Sequence, residues 1–109
     1  SARANLQEVE VRQLTALNAI EGEIRSLHRA LQQAIAEVNT LQQQIIPVLQ
    51  GVQQQTLQAY GAGSYGYVEL ITAEQEFLNS QLSLISSAAN AHRLRAEIER
   101  LSGLPLTGQ

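Results

Sequence analysis

Tyr60-Gly61-Ala62-Gly63-Ser64-Tyr65-Gly66-Tyr67-Val68-Glu69-Leu70 is the stretch on which the fold turns. Three of these residues, Gly61, Gly63 and Gly66, are glycines. Glycine reaches positive φ without a steric penalty, so the backbone can reverse here. A long apolar-periodic arm precedes the stretch and a shorter one follows it. Together they predict an all-α chain: a long antiparallel helical hairpin of coiled-coil type. The expected helices span about 3–60 and about 67–101, with a glycine-rich tip at 61–66. Ser64 is the expected N-cap of the second arm, since a serine hydroxyl can accept from the exposed N–H groups of a helix start.

In the first arm the apolar positions run Leu17, Ile20, Ile24, Leu27, Leu31, Ala34, Val38, Leu41, Ile45, Val48, Val52. The steps alternate three and four, which is the heptad seam of a coiled coil. Upstream, Leu6, Val9, Val11 and Leu14 follow a looser pattern. Gly22 and Gly51 weaken the helix, and Pro47 removes one backbone donor and crowds the preceding turn. Because the apolar phase runs on through Pro47, the expectation is a bend and not an end. Glu8–Arg12 and Glu21–Arg25 are i,i+4 pairs in the favourable order.

The second arm carries two apolar stripes, Leu70–Phe77–Leu84–Ala91–Ile98 and Ile71–Leu78–Ile85. So wide an apolar face needs more than one neighbour. Its end reads Ser102-Gly103-Leu104-Pro105. Gly103 suits the left-handed position just past a helix, Leu104 can fold back onto Ile98, and Pro105 blocks continuation. A reversal centred on Gly63 and Ser64 would set Leu27 against Leu101, Val38 against Ala89, Leu41 against Ile85, Ile45 against Leu82 and Leu49 against Leu78. The first arm then overhangs the second, leaving Ser1–Glu23 without a partner inside the hairpin. Self-association as a dimer or higher assembly is the expected remedy.

The 109 residues suffice for one domain. All seven basic residues are Arg, all ten acidic residues are Glu, and the net charge is −3. That balance argues against nucleic-acid binding, which needs a clustered positive face. No apolar run approaches a membrane span, so no membrane contact by this chain is expected. The absence of Cys removes thiol chemistry. His28 and His92 have no His, Asp or Glu three or four residues away, so no metal is expected. No Ser/His/Asp grouping, phosphate loop or Cys/His cluster occurs; the chain reads as a non-enzyme without cofactor. No charge separates Glu37 from Glu69, a neutral surface suited to packing against helices.

The pattern Tyr60-x-x-Gly63-x-x-x-x-Val68-Glu69-Leu70-x-x-Ala73, followed by Phe77-Leu78, resembles the TolC-type outer membrane efflux channels. Ile45-Ile46-Pro47 before the tip and Glu97-Ile98-Glu99-Arg100-Leu101-Ser102-Gly103 after it extend the likeness. They look most like the channels that serve resistance–nodulation–division pumps, including the metal-cation branch. The resemblance covers nearly all of this chain but only about a quarter of such a channel, matching its second periplasmic hairpin. It implies residues 1–109 as a single periplasmic fragment, in a protein resident in the outer membrane. It also implies a trimer whose helices form a periplasmic α-barrel, and a membrane-fusion adaptor docked at the tip. By residue match Tyr60, Gly63, Ser64, Tyr67, Glu69 and Leu70 would be the adaptor-facing residues. Where some family tips carry a second acidic residue, this chain has Thr72, which speaks against a cation-binding ring. The tyrosines could equally fill space around a glycine turn, and Glu69 could be a solvated helix residue. The alternative function is a free-standing coiled-coil scaffold or oligomerisation module.

Overall fold

A computed structural model describes residues 1–103, and among these every element is helical, with no strand. Helix α1 spans Ala2–Thr40, a π-helical turn spans Leu41–Ile45, α2 spans Ile46–Gly61 and α3 spans Tyr67–Ser102. Ser1 caps the start of α1: its Oγ accepts from the Ala4 N–H at 3.2 Å. Gly22 and Gly51 lie inside helices, where neighbouring good helix formers outweigh their cost.

The backbone stays helical without a break from Ala2 to Gly61. Thr40 and Ile46, on either side of the π turn, both have right-handed helical dihedrals. The expected bend at Pro47 takes the form of this π turn. Pro47 has no N–H to give the carbonyl four residues back, and its ring crowds that carbonyl. The turn widens instead: the Ile46 N–H reaches back five residues to the Leu41 carbonyl.

Widening by one residue changes which side chains point inward. Upstream, Leu31, Ala34 and Leu41 are buried and Val38 half-buried, as the heptad expects. Downstream the expected seam is overturned. Ile45, Val48 and Val52 are exposed, Val48 at 64%. Ile46, Leu49 and Gln53 are half-buried and Thr56 is buried. The inward set has slipped by one position, so a heptad counted straight through Pro47 selects the wrong face.

The chain divides into two compact units, Ser1–Gln32 with Arg93–Gln109, and Gln33–His92. In the first unit Leu31, Leu94 and Ile98 are buried, Ile98 completely. Ile24, Leu27 and Leu101 are half-buried beside them. Every residue from Ser1 to Glu21 is exposed, including Leu6, Val9, Val11, Leu14, Leu17 and Ile20. Glu8 accepts from Arg12 at 2.8 Å, the expected i,i+4 pair. Glu97 pairs with Arg100, whose hydrogen bond holds the Glu97 carboxyl below its ordinary pKa. Gly103 has φ +71° and donates its N–H to the Glu99 carbonyl at 2.8 Å, the left-handed stop expected there. The expected roles of Leu104 and Pro105 fall outside the described residues.

In the second unit, α3 withdraws Leu70, Ala73, Phe77, Ser80, Leu84, Ser87 and Ala91 from solvent, fully or in part. These positions alternate steps of three and four. Every second one is small, which lets helix backbones approach closely. Ser80 keeps its hydroxyl satisfied by donating to the Phe77 carbonyl of its own helix at 2.6 Å. Of the other expected stripe, Ile71 is half-buried, while Leu78 and Ile85, and Leu82 between them, are all more than half exposed. They therefore do not form the buried apolar seam expected opposite Leu49, Ile45 and Leu41.

The turn after α2 is a Schellman motif. Gly63 has φ +80°. Its N–H donates to the Tyr60 carbonyl at 3.1 Å, and the Ser64 N–H donates to the Ala59 carbonyl at 2.8 Å. Ser64 thus closes α2 and does not cap α3. Gly66 takes that place, its carbonyl accepting from the Leu70 N–H at 3.3 Å. Only Gly63 needs the left-handed conformation. Gly63→Ala should cost about 1–2 kcal/mol, the penalty of a Cβ at positive φ. Gly61→Ala, at a helical position with open space around its Cβ, should be neutral or stabilise by up to about 1 kcal/mol. Thermal unfolding of the two variants side by side checks the contrast.

Candidate partner-docking tip

The tip is built outward from the Schellman turn. Tyr60 lies in the last turn of α2 and Tyr67 is the first residue of α3. Their rings meet with centroids 6.2 Å apart at a 58° interplanar angle, a tilted geometry that the aromatic quadrupole favours. The contact bridges the two helix ends and leaves both rings partly in water. Tyr65, Val68 and Leu57 are exposed as well, Val68 at 75%. Exposed aromatic and aliphatic side chains therefore flank the turn, with Glu69 the charged residue beside them.

The expected site residues divide by position. Tyr60, Gly63, Ser64, Tyr67 and Glu69 are exposed at or beside the turn. Leu70 is buried, at 6% exposure, on the inward stripe of α3. It can orient the tip but offers little surface. Glu69 occupies the third position of α3, where a carboxylate interacts favourably with the positive helix end. Its side chain folds back towards Gly66: a Cβ on that glycine would lie 2.8 Å from Glu69 Oε2. This is the posture of the acidic partner in a capping box, with glycine in place of Ser or Thr. Thr72, one turn on, donates its hydroxyl to the Val68 carbonyl at 2.8 Å.

Two features escaped the sequence reading. One is Thr56, which a heptad counted through Pro47 leaves off the seam. The other is a groove of about 270 Å³ lined by Val52 and Thr56 of α2 and by Val68, Glu69, Thr72, Ala73 and Glu76 of α3. The two helices thus lie side by side next to the turn. Among the described residues no group of three or more His, Cys, Asp or Glu is placed to hold a metal ion. No helix among them is long and apolar enough to cross a membrane. No protein-family model matches the chain, and no curated protein or solved structure matches it.

The closeness of Gly66 to Glu69 predicts a non-additive pair. Gly66→Ala should push the carboxylate off the helix start and cost up to about 1 kcal/mol, the usual worth of such an interaction. In a Glu69→Ala background the same substitution should cost less, with only the N-cap preference for glycine over alanine remaining. Equal costs in both backgrounds, measured by denaturant unfolding, would show that the two residues do not interact.

Proposed function

We propose that this chain is the helical-hairpin part of the periplasmic wall of an outer-membrane efflux channel of the TolC type, and that its tip docks a membrane-fusion adaptor. In this reading α1 and α2 run down the wall, the chain reverses at Gly63, and α3 returns antiparallel. The whole protein resides in the outer membrane as a trimer, with this part in the periplasm. The role is passive: it lines a duct and presents a docking surface, without catalysis or cofactor.

One coincidence carries the reading. The residues of the family-like motif, Tyr60, Gly63, Val68 and Glu69, gather at a single turn between two long helices. Tyr60, Tyr67 and Val68 there stay partly or mostly in water, as aromatic and aliphatic anchors of a protein contact do. The uncovered Leu78, Leu82 and Ile85 and the uncovered Leu6–Ile20 run also suit a wall element whose neighbours are other helices.

The same uncovered residues support a second reading, a free-standing coiled-coil scaffold that self-associates. The two differ in what flanks this segment: the channel reading requires strand patterns and an earlier, similar hairpin upstream. In a channel containing this segment, Gly63→Pro and Tyr67→Ala should each reduce both adaptor cross-linking and efflux while trimers persist. Unchanged cross-linking and efflux in both variants would end the channel reading.

A further inference from the structure

We propose that Tyr60 and Tyr67 form an oxidative modification site: a one-electron oxidant couples their rings within one chain, and the dityrosine so formed joins the end of α2 covalently to the start of α3. The inference concerns one chain's own turn and stands apart from the channel reading.

Composition is the first observation. Cysteine and methionine are the side chains that oxidants ordinarily take first, with tryptophan beside them. This chain has none of the three. Its readily oxidised groups are the phenols of Tyr60, Tyr65 and Tyr67, and all its tyrosines lie between residues 60 and 67. Oxidation is thereby directed to the tip. All three side chains are exposed, Tyr67 at 62%, so an oxidant in solution can reach each of them.

Pairing is the second, and it selects two of the three. The rings of Tyr60 and Tyr67 meet at 6.2 Å between centroids, tilted by 58°. Tyr65 makes no ring contact with either among the described residues. The backbone that carries the pair is held by the Schellman turn, in which the Tyr60 carbonyl accepts from the Gly63 N–H and the Ala59 carbonyl from the Ser64 N–H. Exposed side chains reorient in picoseconds to nanoseconds, which supplies the closer approach that a bond needs. A radical on one ring thus meets the other ring of its own chain at an effective concentration far above that of any second chain in dilute solution. The tilt is also of the kind a dityrosine requires, because the two hydroxyls beside its new bond crowd one another and keep the rings from lying in one plane.

The coupling balances. Each phenol gives up one electron and its phenolic proton and becomes a phenoxyl radical, whose spin reaches the Cε carbons beside the oxygen. The two radicals join in a new Cε–Cε bond. Each of those carbons then passes its hydrogen to the phenolic oxygen of its own ring, which restores both aromatic systems. The chain has lost two hydrogen atoms in all. Hydrogen peroxide, acting through a haem peroxidase, takes up the two electrons and two protons and leaves as two waters.

The test is peroxidase oxidation of the dilute chain with hydrogen peroxide, read by dityrosine fluorescence and by intact and peptide mass spectrometry. A monomer lighter by two hydrogen atoms should form, with residues 60 and 67 joined, and its yield per chain should not change on further dilution. Tyr60→Phe and Tyr67→Phe should each abolish the monomeric dityrosine with the helical circular dichroism unchanged. Tyr65→Phe should keep it. Dityrosine found only in covalent dimers, with a yield that falls on dilution, would overturn the proposal. So would a Tyr67→Phe chain that joins residues 60 and 65 as readily as the parent joins 60 and 67, since the turn would then not select the pair. Absence of any dityrosine, under conditions that couple free tyrosine in a parallel tube, would overturn it as well.

Discussion

A helix that must pass a proline without stopping is the constraint on which the rest of this structure depends. Pro47 gives no N–H to the carbonyl four residues behind it, and its ring crowds that carbonyl. An isolated helix would kink or end. Here the Ile46 N–H reaches back to Leu41, and the chain takes one wide turn before resuming α geometry. The cost of that turn is local, but its effect on facing runs to the tip. Everything from Ile46 to Gly61 is rotated by one residue relative to the seam that leads into it. Ile45, Val48 and Val52 go to water; Leu49, Gln53 and Thr56 turn in. The groove near the turn, with Thr56 on its wall, follows from that rotation.

Much of the fold was legible because its causes are local. Gly63 and Gly103 had to adopt positive φ wherever the chain turned or stopped, and both do. The helix ends at Gly61, Tyr67 and Ser102 follow from those glycines. From Ile24 to Leu41 the heptad named the inward face correctly, since nothing interrupts the α period there. Two other features were hidden for physical reasons. Periodicity carries no mark of a π turn, and the apolar Ile45, Val48 and Val52 actively favour the unslipped count. On α3, counting apolar residues drew attention to Leu78 and Ile85, whereas the inward stripe uses the small polar residues Ser80 and Ser87. Their fitness for that place is size and self-satisfied hydrogen bonding, which a hydrophobicity pattern does not register.

The candidate site was legible in its glycines and tyrosines and not in its groove. Tyr60 and Tyr67 are far enough apart in sequence that only the Schellman turn brings their rings together. Glu69 was ambiguous between a pore-facing and a solvated role. Its placement at the third position of α3, folded towards Gly66, gives it a structural job at the helix start. The division of charge is equally consequential. Arginines and glutamates alternate in the first unit and can satisfy one another, while the second unit is neutral or acidic along its length.

The inward face of α2 depends on the one-residue slip at Pro47, and thiol accessibility measures it directly. The chain has no native cysteine, so Val48→Cys and Leu49→Cys can each report one neighbouring position without background. With the slip, the thiol at position 48 reacts with maleimide at the rate of an exposed side chain and the thiol at position 49 reacts markedly more slowly. Fast labelling at 49 with protection at 48 would mean that the helix keeps its phase through Pro47, and would contradict both the inward set and the groove derived from it.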